Sequence, residues 1–144
     1  MTTATTNKTN AEVMYGNVTN VQGATITTGY PIAFTTTAAS LNGNNAVLPA
    51  ASQVKTFVGI SNEDIPDTQS GRYIAYGYAA SVFIFATGTS VTNGVDVAMG
   101  PGAASLGVNS TGVVDILAPV ISLAEIGAAI NSPGGYAQGF VRAM

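Results

Sequence analysis

The chain has 144 residues, the size of one ordinary domain, and can bury a hydrophobic core without a disulfide or a structural metal. It contains no cysteine, histidine or tryptophan, which excludes disulfides and thiolate metal sites and removes the commonest general base and the best nucleophile. Its formal net charge is −3, and its four basic residues form no run, which argues against nucleic-acid binding.

The low density of charge is the unusual feature of the composition. Only 8% of the residues are charged, against about 25% in an average domain, whereas 47% are hydrophobic. The polar remainder is therefore mainly Thr, Ser, Asn and Gln, whose hydroxyl and amide groups are removed from water at lower cost than ions. This composition predicts a surface that is covered in an assembly, and a low-charge secreted monomer is the alternative.

No segment is long enough to predict a membrane span. The most apolar stretch, residues 73–86, has about 14 residues where a span needs roughly 20. The amino-terminal residues also lack the apolar region of a signal peptide, so we expect a protein that is made in a cytoplasm and does not contact a membrane.

The first 12 residues are predicted to form a flexible arm. Residues 1–10 contain five Thr, and after Met1 no apolar side chain larger than Ala, so they bury too little surface to offset the entropy of ordering. A frayed terminus without a role is the alternative. Residues 13–144 are predicted to form a single β domain.

From residue 13 onward, short runs of β-branched and aromatic residues alternate with Gly, Asn and Pro clusters, which is typical of strands. Asn93-Gly94 between two such runs predicts a hairpin. The predicted strands are Val13–Val18, Ala24–Thr27, Ile32–Thr36, Ala46–Pro49, Thr56–Ser61, Tyr73–Tyr78, Ser81–Ala86, Ser90–Thr92, Val95–Met99, Val113–Leu117 and Gly139–Arg142.

One short helix is predicted near residues 123–130. Ser122 followed by Glu125 fits a capping box, and three apolar residues then recur at i, i+3 and i+7. Many short strands, one short helix and no βαβ rhythm predict an all-β fold, either a small β-barrel or a β-sandwich.

Candidate catalytic and metal-binding groups are few. Glu63, Asp64 and Asp67 form the densest acidic cluster, but Pro66 interrupts it and the spacing does not match a calcium loop, so a solvated loop is the favoured interpretation. The remaining carboxylates have no spacing that brings a catalytic pair together. We therefore predict no enzyme activity, no catalytic residues, no metal and no cofactor.

Aromatic residues crowd the region from residue 73 to residue 85. At the two-residue period of a strand, Tyr76 and Tyr78 share one face, and Phe83 and Phe85 share one face of what reads as a hairpin. Core packing is the simpler explanation. The alternative is a stacking platform or a subunit contact, for which tyrosine is well suited.

A series of short motifs resembles the capsid decoration, or cement, proteins of tailed bacteriophages. The likeness extends over roughly residues 20–144 and consists of glycines and β-branched residues at loose spacing. The motifs, in chain order, are Ala24–Ile26, Gly29–Ile32, Phe57–Ser61, Asp64-Ile65, Gly71, Gly77–Ala79, Val91–Gly94, Leu106-Gly107 and Gly139–Arg142. The chain is somewhat long for that family, and Thr35–Asn45 has no counterpart in its pattern.

This resemblance implies a structural virion protein on the outer surface of an icosahedral capsid, assembled in the host cytoplasm. Its expected partners are the major capsid protein and further copies of itself, usually as a homotrimer and in some cases as a dimer. The residues expected to contact the capsid or neighbouring subunits are Thr2, Thr3, Thr5, Thr6, Asn7, Lys8, Thr9, Asn10, Tyr76 and Tyr78. The alternatives are a carbohydrate-binding module and another virion module of a fibre or baseplate.

Overall fold

A computed structural model describes residues 12–35, 43–49, 56–85, 96–99, 106–108, 120–122 and 135–143. For residue 85 and the three short strands between residues 96 and 122 it describes only the backbone. Structural statements below refer to these residues.

The described residues form nine β-strands and no α-helix, which confirms the predicted all-β class. The predicted helix at 123–130 and the predicted strands Ser90–Thr92 and Val113–Leu117 lie outside the described residues. The strands are β1 (Met14–Asn20), β2 (Pro31–Phe34), β3 (Asn45–Val47), β4 (Phe57–Ser61), β5 (Ser70–Phe85), β6 (Asp96–Met99), β7 (Leu106–Val108), β8 (Val120–Ser122) and β9 (Gly135–Arg142).

Five strands close into a small barrel, which is one of the two predicted architectures. Their order is β1-β3-β2-β4-β5, and pairing of β1 with β5 closes the ring. β1 and β3 are parallel, whereas the other pairs in this ring are antiparallel. Closure gives the strands of the ring neighbours on both sides.

A second ring of backbone pairings shares β5 with the barrel. Its order is β5-β7-β6-β8-β9, and pairing of β5 with β9 closes it. The first half of β5 pairs with β1, and the second half pairs with β9 from Tyr76 to Ile84. One strand of 16 residues therefore serves both rings.

The sequence prediction of two separate strands between residues 73 and 86 was wrong. The chain instead runs through Ala79 and Ala80 without a turn, because neither residue breaks a strand. An irregularity in the pairing with β9 between Ala79 and Val82 shifts the alternation of buried and exposed side chains while the strand continues.

Three further differences concern short elements. The predicted strand Ala24–Thr27 is reduced to an isolated bridge between Ile26 and Ile65. β7 and β8 were not predicted as strands. β8 includes Ser122, which the sequence analysis placed at the start of the predicted helix. Strands of three residues are too short to show a period-two pattern, so sequence alone gives them little signal.

Side chains from all five strands of the barrel contribute to its core. Its fully buried members come from β1, β2, β3 and the bridge, and Val58 of β4 and Tyr73 of β5 pack against them while partly buried. The buried members are Val18, Ile26, Ile32, Ala46 and Ile65. Ring closure and burial of these side chains therefore depend on each other.

A second core cluster connects the two rings. It joins Ile60 of β4 and Ile74 of β5, which are partners on adjacent strands of the barrel wall, to buried residues of the second half of β5 and of β9. Those residues are Ala79, Val82, Ile84, Ala137 and Val141. The barrel wall is thus buried on both sides where it meets the second ring.

Gly59 marks a close approach between β4 and β5. The register of β2 against β4 moves from Gly59 to Phe57 between Ile32 and Ala33, which leaves Val58 as the extra residue of a bulge. A Cβ atom on Gly59 would overlap the backbone carbonyl oxygen of Ile74. A backbone atom of a paired strand cannot move aside as a flexible side chain can.

We predict that Gly59→Ala lowers the free energy of unfolding by about 2–3 kcal/mol, because β4 must separate from β5 to admit the methyl group. Gly23→Ala is the matched control. Gly23 has positive φ (+82°), but no described atom lies within 4 Å of a Cβ added there. We therefore expect Gly23→Ala to lower the free energy of unfolding by only about 1 kcal/mol. Urea unfolding of the two variants measures the difference, and equal losses would contradict the steric argument.

Candidate functional site

Tyr76 and Tyr78 lie on one face of β5, as their spacing predicted. The intervening Gly77 and the following Ala79 are buried, so the two tyrosines point away from the core. Tyr76 is 37% exposed and meets Phe140 of β9 edge to face, with ring centroids 5.2 Å apart. Their role as contact residues stays a prediction.

Met14 extends this face across β1. It pairs with Tyr76 and is 60% exposed, and Tyr78 is half-buried opposite Phe140. We call Met14, Tyr76, Tyr78 and Phe140 the β5–β9 patch. It is an apolar and aromatic surface formed by side chains from three adjacent strands.

The predicted arm residues Thr2, Thr3, Thr5, Thr6, Asn7, Lys8, Thr9 and Asn10 lie outside the described residues. The described chain begins at Glu12, whose backbone carbonyl lies so close to Gly77 that a Cβ atom at position 77 would overlap it. Gly77 has φ +109°. The described chain thus begins two residues before Met14 of the β5–β9 patch.

A second aromatic group lies farther along β5, and of its members sequence reasoning singled out Phe83 but not Tyr30 or Tyr136. Tyr30 stacks on Phe83 with ring centroids 4.5 Å apart and planes 5° apart. Tyr136 of β9, which is 52% exposed, meets Phe83 at 5.3 Å and 64°. We call Tyr30, Phe83 and Tyr136 the aromatic stack. The period-two pattern could not reveal the aromatic stack, because its members come from a loop and from two strands that are paired in space but far apart in sequence.

Backbone hydrogen bonds fix the aromatic stack. The Phe83 N–H donates to the Gly29 carbonyl at 2.8 Å, and the Gly29 N–H donates to the Ser61 carbonyl at 2.9 Å. A Cβ atom on Gly29 would lie 3.0 Å from the Tyr136 ring, so glycine lets that ring lie against the loop backbone. The loop before β2 is thereby held to the second ring at this point.

Ser61 organises the same loop from within the barrel wall. It is 1% exposed. Its hydroxyl accepts the Tyr30 N–H at 3.1 Å and lies 2.7 Å from the Thr27 carbonyl, to which it can donate. A buried hydroxyl with these partners positions Tyr30 for stacking on Phe83.

Two loops, residues 21–30 and 62–69, are paired through the Ile26–Ile65 bridge. Asn20, which is fully buried, reinforces the pairing. Its side-chain amide donates to the carbonyls of Ala24 and Ile65, both at 2.7 Å, and its side-chain oxygen accepts the Gln22 N–H at 2.8 Å. The sequence offered no signal for this role, since Asn20 reads as an ordinary strand-end polar residue.

The acidic cluster of the second loop serves this loop pairing. Asp64 accepts hydrogen bonds from the Thr28 N–H at 2.7 Å and the Thr28 hydroxyl at 2.8 Å. Asp67 accepts the Gly23 N–H at 2.8 Å. The carboxylates thus go to different partners, and in the described part of the chain no three acidic side chains converge as a metal site requires.

Glu63, the third member of the cluster, binds Arg72 of β5. It accepts the Arg72 backbone N–H at 2.8 Å and lies 3.7 Å from the guanidinium Nε. The same guanidinium lies over the ring of Tyr15 at 5.9 Å. Tyr15 is 54% exposed, so this pair is a surface feature of the barrel wall.

Two pKa values near the aromatic stack are shifted. The pKa of Asp64 is lowered, first by the Thr28 backbone N–H and then by the Thr28 hydroxyl, because both hydrogen bonds favour the ionised carboxylate. The pKa of Tyr136 is raised, first by partial burial and then by its neighbours Tyr30 and Asp64. At neutral pH the phenol of Tyr136 is therefore neutral and the carboxylate of Asp64 is ionised.

No family model and no curated protein matches this chain. Within the described residues, no helix is long and apolar enough to cross a bilayer. The described surface presents exposed aromatic rings and hydrogen-bonding groups.

We predict that Asp64→Asn reduces stability at neutral pH and that its deficit shrinks in acid. In the wild type, the stability that the ionised Asp64 contributes is present above the unfolded pKa of about 3.9 and is lost as the pH falls through the lower folded pKa. Unfolding by urea from pH 7 to strong acid tests this. Thr28→Val, which keeps the N–H bond and removes the hydroxyl, should give a smaller deficit, and a pH-independent deficit for Asp64→Asn would contradict the assignment.

Proposed function

We propose that this protein is a capsid decoration protein, which binds the outer surface of an icosahedral phage shell and stabilises contacts between major capsid subunits. The observation that carries the proposal is the motif series that resembles that family. The barrel supports it, since a small β-barrel is one of the two folds that the resemblance implies.

The positions of the motifs in the fold add support. The glycine-proline motif at residues 29–32 leads into β2, and Phe57–Ser61 is β4 itself. Gly71 and Gly77–Ala79 lie in β5, and Gly139–Arg142 lies in β9. These motifs therefore lie in or beside strands that form the barrel and its junction with the second ring, where a family likeness would be expected to concentrate.

The β5–β9 patch is the proposed contact surface of the folded body. It presents Met14 at 60% and Tyr76 at 37% exposure in a chain with few charges. Aromatic and methionine side chains are enriched at protein interfaces, and buried tyrosines frequently dominate their binding energy. Covering this patch would remove apolar surface from water without desolvating many ions.

The arm is the second proposed contact. Nine extended residues, Thr2–Asn10, reach about 30 Å, which is enough to cross onto a neighbouring subunit. Threonine favours extended structure, and an added strand binds through main-chain hydrogen bonds that require no charge. Because the described chain begins two residues before Met14, arm and β5–β9 patch would engage the same neighbour.

We predict that Tyr76→Ser weakens binding to empty shells of the virus that encodes this protein by about tenfold or more. Co-sedimentation of labelled protein with the shells measures the affinity, and circular dichroism checks the fold. Tyr136→Ser is the matched control, because Tyr136 is also an exposed tyrosine, on β9, but is not a member of the β5–β9 patch. Absence of wild-type binding to the shells would refute the proposed function, and equal loss for both variants would refute the choice of patch.

We predict that deleting Thr2–Asn10 leaves the melting temperature of the free protein nearly unchanged and weakens its attachment to shells. The physical reason is that these residues carry too little apolar surface to contribute to the core. Calorimetry and the same co-sedimentation assay give the two readouts. Unchanged shell affinity would show that the arm is only a terminus.

Self-association belongs to the same proposal. We expect a homotrimer, with a dimer as the alternative, because low charge beside ordinary apolar content favours assembly. Sedimentation equilibrium at micromolar concentration distinguishes these states. A monomer of 14.4 kDa throughout would contradict self-association of the free protein and leave assembly on the shell as the alternative.

A further inference from the structure

The aromatic ring of Tyr136 packs against other residues of the fold and is also exposed to solvent. Phe83 meets it with ring centroids 5.3 Å apart, and the Cβ position of Gly29 lies 3.0 Å from it. The ring is nevertheless 52% exposed. A ring supported in this way loses little conformational entropy when a ligand stacks on it.

Hydrogen-bonding groups border the ring. Asp64 accepts two hydrogen bonds from Thr28. Thr28 is the residue next to Gly29, whose Cβ position lies 3.0 Å from the Tyr136 ring. Gln138 lies two residues along β9 on the same exposed face. The border therefore combines a carboxylate, which only accepts hydrogen bonds, with an amide, which donates and accepts.

We propose that Tyr136, with Asp64 and Gln138 beside it, binds a neutral saccharide. A pyranose has an apolar face of C–H bonds, which stacks on an aromatic ring, and a rim of hydroxyl groups, which require acceptors and donors at the ring's edge. The site offers this arrangement of apolar centre and polar border. The carboxylate also sets the charge preference, because it accepts from hydroxyl groups and repels an acidic sugar.

A protein partner matches the surroundings of Tyr136 less well than a saccharide does. Anchor residues at protein interfaces are usually ringed by contacts that exclude water, whereas Tyr136 has an exposed carboxylate and an exposed amide as neighbours. The β5–β9 patch, whose exposed members are a methionine and a tyrosine, is the better protein contact. The two surfaces are distinct, since six residues of β5 lie between Tyr76 and Phe83. On β9, Gln138 lies between Phe140 of the patch and Tyr136.

The test is binding of fluorotyrosine-labelled full-length protein to an array of neutral oligosaccharides, followed by ¹⁹F NMR titration of those retained. The chain has six tyrosines and no tryptophan, so the Tyr136 resonance can be assigned with Tyr136→Phe. We expect saturable shifts of this resonance at millimolar or lower concentration. Tyr136→Ser should weaken binding by about tenfold or more, and Asp64→Asn should weaken it less.

Tyr15→Ser is the matched control, because Tyr15 is equally exposed, at 54%, but lies beside Arg72 on the barrel wall. It should leave the affinity unchanged. The proposal fails if no neutral oligosaccharide shifts the Tyr136 resonance, or if Tyr136→Ser binds as tightly as the wild type. It also fails if Tyr136→Ser abolishes shell binding or self-association instead, because the ring would then be a protein contact. Shell binding by the wild type is measured separately, so the proposed function can stand or fall on its own.

Discussion

β5 is the constraint on which the described structure depends, because one continuous strand completes both rings. Its first half closes the barrel against β1, and its second half closes the other ring against β9. Side chains of β5 also contribute to both core clusters, through Tyr73 in the barrel and through Ile74 at the junction. Neither ring can open along β5 without exposing apolar surface of the other, so the two rings should unfold cooperatively.

A strand that serves two rings must change which side it buries, and β5 does so at two irregularities. Against β1 the register moves between Met14 and Tyr15, which leaves Ala75 as an extra residue, and against β9 it moves between Ala79 and Val82. Between these points Tyr76 and Tyr78 face outward, and beyond the second point Phe83 does so. The two aromatic surfaces therefore lie on either side of the second register shift in the strand that closes both rings.

The sequence predicted the fold class because β-branched runs and turn residues report on local conformation, and the predicted strand Thr56–Ser61 differs from β4 by one residue at its start. It could not predict the continuity of β5, since a change of buried face without a turn looks like a break in the period-two pattern. The shared face of Tyr76 and Tyr78 followed from local spacing. The aromatic stack depends on loop 21–30 reaching Phe83 through hydrogen bonds between residues far apart in sequence, and composition carries no trace of such contacts.

The same long-range pairing explains how the chain folds with few charges. Three of its seven acidic residues lie in one loop, and each accepts a hydrogen bond from a backbone N–H of another segment. These carboxylates thus act as structural acceptors that tie loops together, more than as scattered solubilising groups. Much of the remaining exposed surface consists of hydroxyl, amide and aromatic groups, which can be covered without stripping water from ions. A surface of this kind costs little to remove from water, because the loop carboxylates already use their hydrogen-bonding capacity within the fold.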